Sequence, residues 1–145
     1  MAELIERNAS ALLLYNDRGG VLLQHRTADA PRYPNLWGFF GGGIEENESP
    51  REALIREARE ELEYIPENPE YFSETNITTD ASKGTIYLFI EEIDVSQTLI
   101  QHEGQGMGWF NPLNLEALPI IPHDKSIIES AGTAFVQRGI LKSID

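Results

Sequence analysis

Apolar residues fall in short runs through the first third of the chain. Asn8 to Tyr15 and Val21 to His25 flank Asn16-Asp17-Arg18-Gly19-Gly20, a tract of turn formers, and this arrangement predicts an antiparallel hairpin. Thr27 to Asn35 holds Pro31 and Pro34 and reads as a loop, and Leu36 to Phe40 reads as a brief strand leading into Gly41-Gly42-Gly43. The period then changes. Leu54, Ile55, Ala58 and Leu62 recur at helical spacing, so that at about 100° per residue they share one arc. Ser49-Pro50-Arg51-Glu52 combines a capping box with proline at the first helical position, and a helix is predicted over Pro50 to Leu62.

Pro66 and Pro69 break the chain after that helix. Tyr71 to Ile77 and Thr85 to Ile93 read as strands separated by Thr78 to Gly84. Val95 to Gly106 reads as a polar loop, Met107 to Phe110 as a last short strand, and Asn111-Pro112 opens a turn that runs through Leu118. Asp124 to Gln137 is predicted as a second full helix, closed at Gly139. The elements sum to an α/β (α+β) chain, a mixed β-sheet with helices on two sides, or α/β/α sandwich. No internal repeat, low-complexity tract or linker divides it. A length of 145 residues with 41% hydrophobic content suits a single domain, 1–145, that buries about 68 to 70% of its unfolded surface.

Composition narrows the classes. There is no apolar run near the roughly 18 residues of a membrane span and no charged-then-apolar leader, so a cytoplasmic protein without membrane association is expected. The absence of cysteine excludes disulfides and thiol chemistry. A net charge of -13 argues against a nucleic-acid duplex as partner, since phosphate-backbone binding needs clustered Lys and Arg. The oligomeric state stays open between monomer and homodimer.

Candidate chemistry sits on the first helix. Glu57, Glu60 and Glu61, at i, i+3 and i+4, share the arc beside its apolar face. Like charges at i, i+4 cost about 0.2 to 0.5 kcal/mol per pair when exposed and more when partly buried, so the trio is a net cost unless a cation sits beside it. Oxygen-only ligands suit a hard ion, Mg²⁺ or Mn²⁺. Taken without its flanks, the same pattern also describes a solvated acidic helix face.

The flanks resemble the Nudix box, G-x5-E-x7-R-E-U-x-E-E-x-G-U with U a bulky aliphatic, at Gly42, Glu48, Arg56, Glu57, Glu60 and Glu61. The resemblance implies the α/β/α sandwich and a metal-dependent pyrophosphohydrolase acting on a nucleoside diphosphate linked to another group. It further implies that Glu57, Glu60 and Glu61 carry metal, joined by the backbone carbonyl of Gly41. Arg56 would orient Glu60 one turn on, or form an ordinary surface pair with it. Glu48 would brace the glycine turn, or sit just outside the ion, or stay solvated. Ala58, Glu63 and Tyr64 depart from the pattern. Glu63 stands where a glycine ends the helix in a left-handed turn, and its presence should cost on the order of 1 kcal/mol or redirect the chain. Phe40 stands where many relatives have proline.

His102-Glu103-Gly104-Gln105-Gly106-Met107-Gly108-Trp109 resembles the E-G-Q-x-G-x-W stretch of the MutT-like branch. That likeness makes Glu103 a metal ligand and, with Glu60, a candidate general base. Leu118 to Asp124 is similar to the segment that offers an asparagine to a purine edge in such relatives. Asp124 would accept from base N–H groups there, or serve only as a helix cap. Trp37, Phe39 and Phe40 could stack on a base or belong to the core. The expected ligand is a small nucleotide or other diphosphate, with nucleoside triphosphates first and nucleotide sugars or ADP-ribose behind, since the ADP-ribose signature is missing at Thr79 and Asp80. A catalytically silent nucleotide-sensing module is the alternative. An isomerase of prenyl diphosphates would need a cysteine.

Overall fold

A computed structural model describes residues 4–142; the outermost ends of a domain spanning 1–145 lie outside them. The element order is β1 (Ile5–Glu6), β2 (Ala9–Tyr15), β3 (Val21–His25), β4 (Trp37–Gly38), β5 (Phe40–Gly43), α1 (Pro50–Leu62), β6 (Glu70–Thr78), β7 (Ser82–Glu92), β8 (Gly106–Phe110) and α2 (Pro122–Gln137). The strands form one mixed sheet in the order β1-β7-β2-β3-β4, with β5 added to β2, β6 to β7 and β8 to β3.

β2 is the axis of the sheet. It runs parallel to β7 from Ala9↔Ile86 to Tyr15↔Glu92. On its other edge the first half pairs antiparallel with β5, Ala9↔Gly43 to Leu12↔Phe40, and only Tyr15 meets β3, at Val21. β5 and β3 therefore part from a shared neighbour, and the gap between them opens the sheet beside the glycines.

Successive β2 residues serve opposite layers, as the pleat requires. Leu13 joins Val21, Leu23, Leu88 and Ile90 beneath Ile127, Ile128, Ala131 and Phe135 of α2. Leu12 and Leu14 join Leu22, Phe40 and Phe89 beneath Leu54, Ala58 and Leu62 of α1. A strand covered on both faces reads as a continuous apolar run, which is why Ala11 to Leu14 shows no alternation. Each fully buried leucine contributes about 1.5 to 3 kcal/mol. The expected α/β/α sandwich is the observed one.

Local chemistry explains the boundaries. In the β2–β3 hairpin the Asn16 side chain accepts from the N–H groups of Arg18 and Gly20, at 3.0 and 2.9 Å, and Gly19 takes φ 84°. The Ser49 hydroxyl accepts from the Glu52 N–H at 3.1 Å while Glu52 accepts from the Ser49 N–H at 2.9 Å, so the capping box forms as expected. Ser10 on β2 donates to the Pro50 carbonyl at 2.7 Å and ties the helix start to the sheet.

Four expectations need adjustment. Gly41 to Gly43 pair as strand β5, not as a free turn. The segment between β6 and β7 shrinks to Thr79–Ala81, because the Thr79 hydroxyl accepts the Ser82 N–H and closes a tight turn. α2 begins at Pro122, with Ile121 at the cap position and no side-chain cap bond. Glu63 keeps the chain's usual exit path by adopting φ 52° and ψ 32°, so the missing glycine is met by strain and not by a new route. Among the described residues no helix is long and apolar enough to cross a membrane.

Candidate active site

Arg56 organises the polar face of α1. Its guanidinium donates to both Glu48 carboxylate oxygens at 2.8 and 2.9 Å, to the Gly43 carbonyl at 3.0 Å and to Glu57 at 2.8 Å. The contact with Glu60 is longer, 3.4 Å. Arg56 thus holds Glu57 and the glycine strand first, and the expected one-turn link to Glu60 is the longest of its hydrogen bonds. Glu48 is not a solvated loop carboxylate. It also accepts the Glu45 N–H at 2.9 Å, and the Arg56 hydrogen bonds hold its pKa down to about 2.

Glu57 lies over Gly42. A Cβ added there would sit 2.6 Å from a Glu57 carboxylate oxygen, so any larger residue must displace that carboxylate. Burial raises the Glu57 pKa, and Arg56 opposes that rise. Glu61 is only 2% exposed. It accepts the Gly41 N–H at 2.8 Å, and burial, then the neighbouring Glu103 and Glu57, push its pKa up to about 9. Gly41 itself has φ 145°, and a Cβ would fall 2.1 Å from the Ser10 carbonyl oxygen.

Glu103 arrives on the loop before β8, which is fastened to the end of α1. The N–H of Ile100 donates to the Leu62 carbonyl and that of His102 to the Glu61 carbonyl, at 3.0 and 2.8 Å. The His102 ring meets the Glu63 carboxylate at 2.5 Å. Gln101 donates to the Glu103 and Gly106 carbonyls at 2.7 and 2.8 Å.

A dication fits this donor set chemically: a buried carboxylate that repels two others and meets one backbone N–H is stabilised by positive charge. The carboxylates do not, however, already converge. Among the described residues no three His, Cys, Asp or Glu side chains gather as an ion would require. Glu57 leans to Arg56, and the Glu60 side chain is 60% exposed.

On the α2 side of the sheet a pocket of about 670 Å³ opens against Gly41 and Gly42, walled by Phe39, Arg26, Tyr33 and Asp124. Asp124 is buried, accepts the Phe39 N–H at 3.3 Å and lies 3.3 Å from the His123 ring nitrogen. Burial pushes its pKa up to about 7. It caps nothing, because it stands in the third position of α2 with its carboxylate turned to β4 and β5; at Gly38 a Cβ would sit 2.7 Å from it. Phe39 lines the pocket. Trp37 instead stacks on His25, 4.5 Å between ring centroids and 2° from parallel, with its other aromatic contact to Phe110. Phe40 is core.

Arg26 and Tyr33 escaped the sequence reading, since single residues in a proline-bearing loop show no period. The available signal was scarcity: the chain has 11 basic against 24 acidic residues, and Arg26 directly follows the end of β3.

The chain is thus an α/β/α sandwich that sets an acidic helix behind a glycine strand, beside an open pocket. A family model described as NUDIX domain matches residues 5–131. A CTP pyrophosphohydrolase of Escherichia coli is 34% identical over 113 residues, 77% of this chain and 82% of that protein. The nucleoside triphosphatase NudI of Escherichia coli is 33% identical over 76% of this chain and 85% of its own length. The crystal structure of a MutT protein from Methanosarcina mazei superposes with a TM-score of 0.80 over 92% of this chain and 98% of that one, at 18% identity, and so shares the fold. The chain belongs to the Nudix family and is thereby a hydrolase of phosphoanhydrides.

Proposed function

We propose that this protein hydrolyses nucleoside triphosphates to nucleoside monophosphate and pyrophosphate with Mg²⁺ or Mn²⁺ as cofactor, acting as a cytoplasmic enzyme on small nucleotides. The observation that carries the reading is the burial of Glu61 between Glu57 and Glu103 directly behind Gly41, which walls the large pocket. The names of the two curated relatives support a triphosphate over a nucleotide sugar or ADP-ribose.

A divalent cation neutralises phosphate oxygens and makes the attacking water more acidic. Glu57, Glu60, Glu61 and Glu103 would hold it, with the Gly41 carbonyl. Arg56 fixes Glu57 against Gly42, holds the glycine strand by its bond to the Gly43 carbonyl, and is itself braced by Glu48. Glu103 accepts the proton of the attacking water, with Glu60 the second candidate for that role. Phe39 flanks the base, and the Asp124 carboxyl meets its N–H edge. A panel of nucleoside triphosphates assayed with Mg²⁺ for pyrophosphate release tests the reading. It stands if one triphosphate is turned over ahead of nucleotide sugars, and it fails if none yields pyrophosphate.

A further inference from the structure

We propose that Gln24, near the end of β3, donates a hydrogen bond to a non-bridging phosphate oxygen of the substrate, in a small cleft beside Glu103. The inference rests on the hydrolase reading and extends its binding site to a residue outside the Nudix box.

Gln24 is 3% exposed, and its side-chain nitrogen is a buried polar atom with no hydrogen-bond partner among the described residues. Leaving such a donor unmet costs about 1 to 3 kcal/mol. Two places earlier on the strand, Leu22 faces α1, so Gln24 extends from the apolar layer under α1 toward the carboxylates. Its stem cannot swing out to solvent. Gly104, at φ 90°, is pressed onto it so closely that a Cβ there would lie 2.8 Å from the Gln24 Cγ. The amide is thus fixed beneath the loop that carries Glu103.

Gln24 lines a cleft of about 290 Å³ together with Arg26, Thr27, Asp29 and Glu103. An unmet amide N–H needs an acceptor, and half a turn about the last side-chain bond brings it to the cleft; because Asp29 and Glu103 share that wall with Arg26, an anionic acceptor enters as its dication complex, whose charge offsets the two carboxylates. Arg26 also lines the 670 Å³ pocket that holds Phe39 and Asp124. One ligand can therefore span both spaces, with its nucleoside in the larger and its phosphate chain running past Arg26 to Gln24. This places the anhydride next to Glu103 and distinguishes a polyphosphate from a nucleoside or a monophosphate.

The test is calorimetric titration of the full chain with magnesium pyrophosphate, with thermal unfolding measured alongside. Gln24→Met keeps the volume and removes the donor, and Gln24→Asn keeps the donor and shortens its reach. The expected result is about tenfold weaker pyrophosphate binding by Gln24→Met, the loss of one hydrogen bond to a charged group, and a smaller loss for Gln24→Asn. The melting temperature of Gln24→Met should not fall, because no native hydrogen bond is removed. Unchanged affinity in both variants means that a water or the Glu103 carboxylate meets the amide, and overturns the proposal while leaving the hydrolase reading intact. A wild-type chain that cleaves triphosphates but binds no pyrophosphate also overturns it. Gln24-dependent pyrophosphate binding without any triphosphate cleavage would uphold this subsite and remove the hydrolase reading.

Discussion

Glu63 shows how one residue can carry strain for a purpose. A non-glycine residue at φ 52° costs on the order of 1 kcal/mol, and its pair with His102, both side chains about half exposed, returns less than that. The Glu63→Gly variant should therefore be more stable by up to about 1 kcal/mol in chemical denaturation. Its turnover should fall severalfold, because His102 is the neighbour of Glu103 and loses its anchor. A variant both more stable and fully active would show that the pair does not position the loop. Asp124 is the second such case. Its pKa is raised by burial from the ordinary 3.8 to about 7. The sign follows from the protonated form being favoured in the fold: the stability contribution is whole below about pH 4 and is lost as pH rises through about 7. Asp124→Asn should remove that loss, so that urea denaturation finds it more stable than wild type at pH 8, on the order of a few kcal/mol at most, and little different at pH 4. Equal pH profiles would contradict a buried, proton-holding Asp124.

At the scale of elements, β5 and α1 work as one piece. Arg56 ties them through Gly43 and Glu48, and Glu57 rests where a Gly42 side chain would be. In Gly42→Ala the atom displaced is the end of a flexible carboxylate, so stability should change by less than about 1 kcal/mol. Turnover should drop by about 10²-fold, since misplacing a group by 1 Å has that effect. Stability and activity falling together would mean that the glycine serves the strand alone. Much of this was legible in the sequence: apolar spacing and Ser49-Pro50-Arg51-Glu52 placed α1, and turn formers placed the first hairpin. Pairing was not legible. Three glycines carry no strand propensity, and only the ladder against Ala9 to Ala11 makes them β5. The two-residue β1 against Ser82 and Lys83 left no pattern either.

The whole molecule places an acidic helix on one face of a sheet and a pocket on the other, with Gly41 and Gly42 of β5 common to both. In a chain of net charge -13, Arg26 on the pocket wall and a bound dication would be what makes an anionic substrate acceptable. The acidic cluster was visible in the sequence as helical spacing. Its depth was not, because nothing in Glu60-Glu61 says that the first is 60% exposed at its side chain and the second is 2% exposed. The central claim is that buried Glu61 holds the cation. Calorimetric titration with Mn²⁺ of wild type and Glu61→Gln tests it most directly, with circular dichroism confirming that the variant is folded. Saturable binding by wild type, weakened about 10- to 100-fold in the variant, is the predicted result. Equal Mn²⁺ affinities in the two proteins, or no heat from either, would contradict the account.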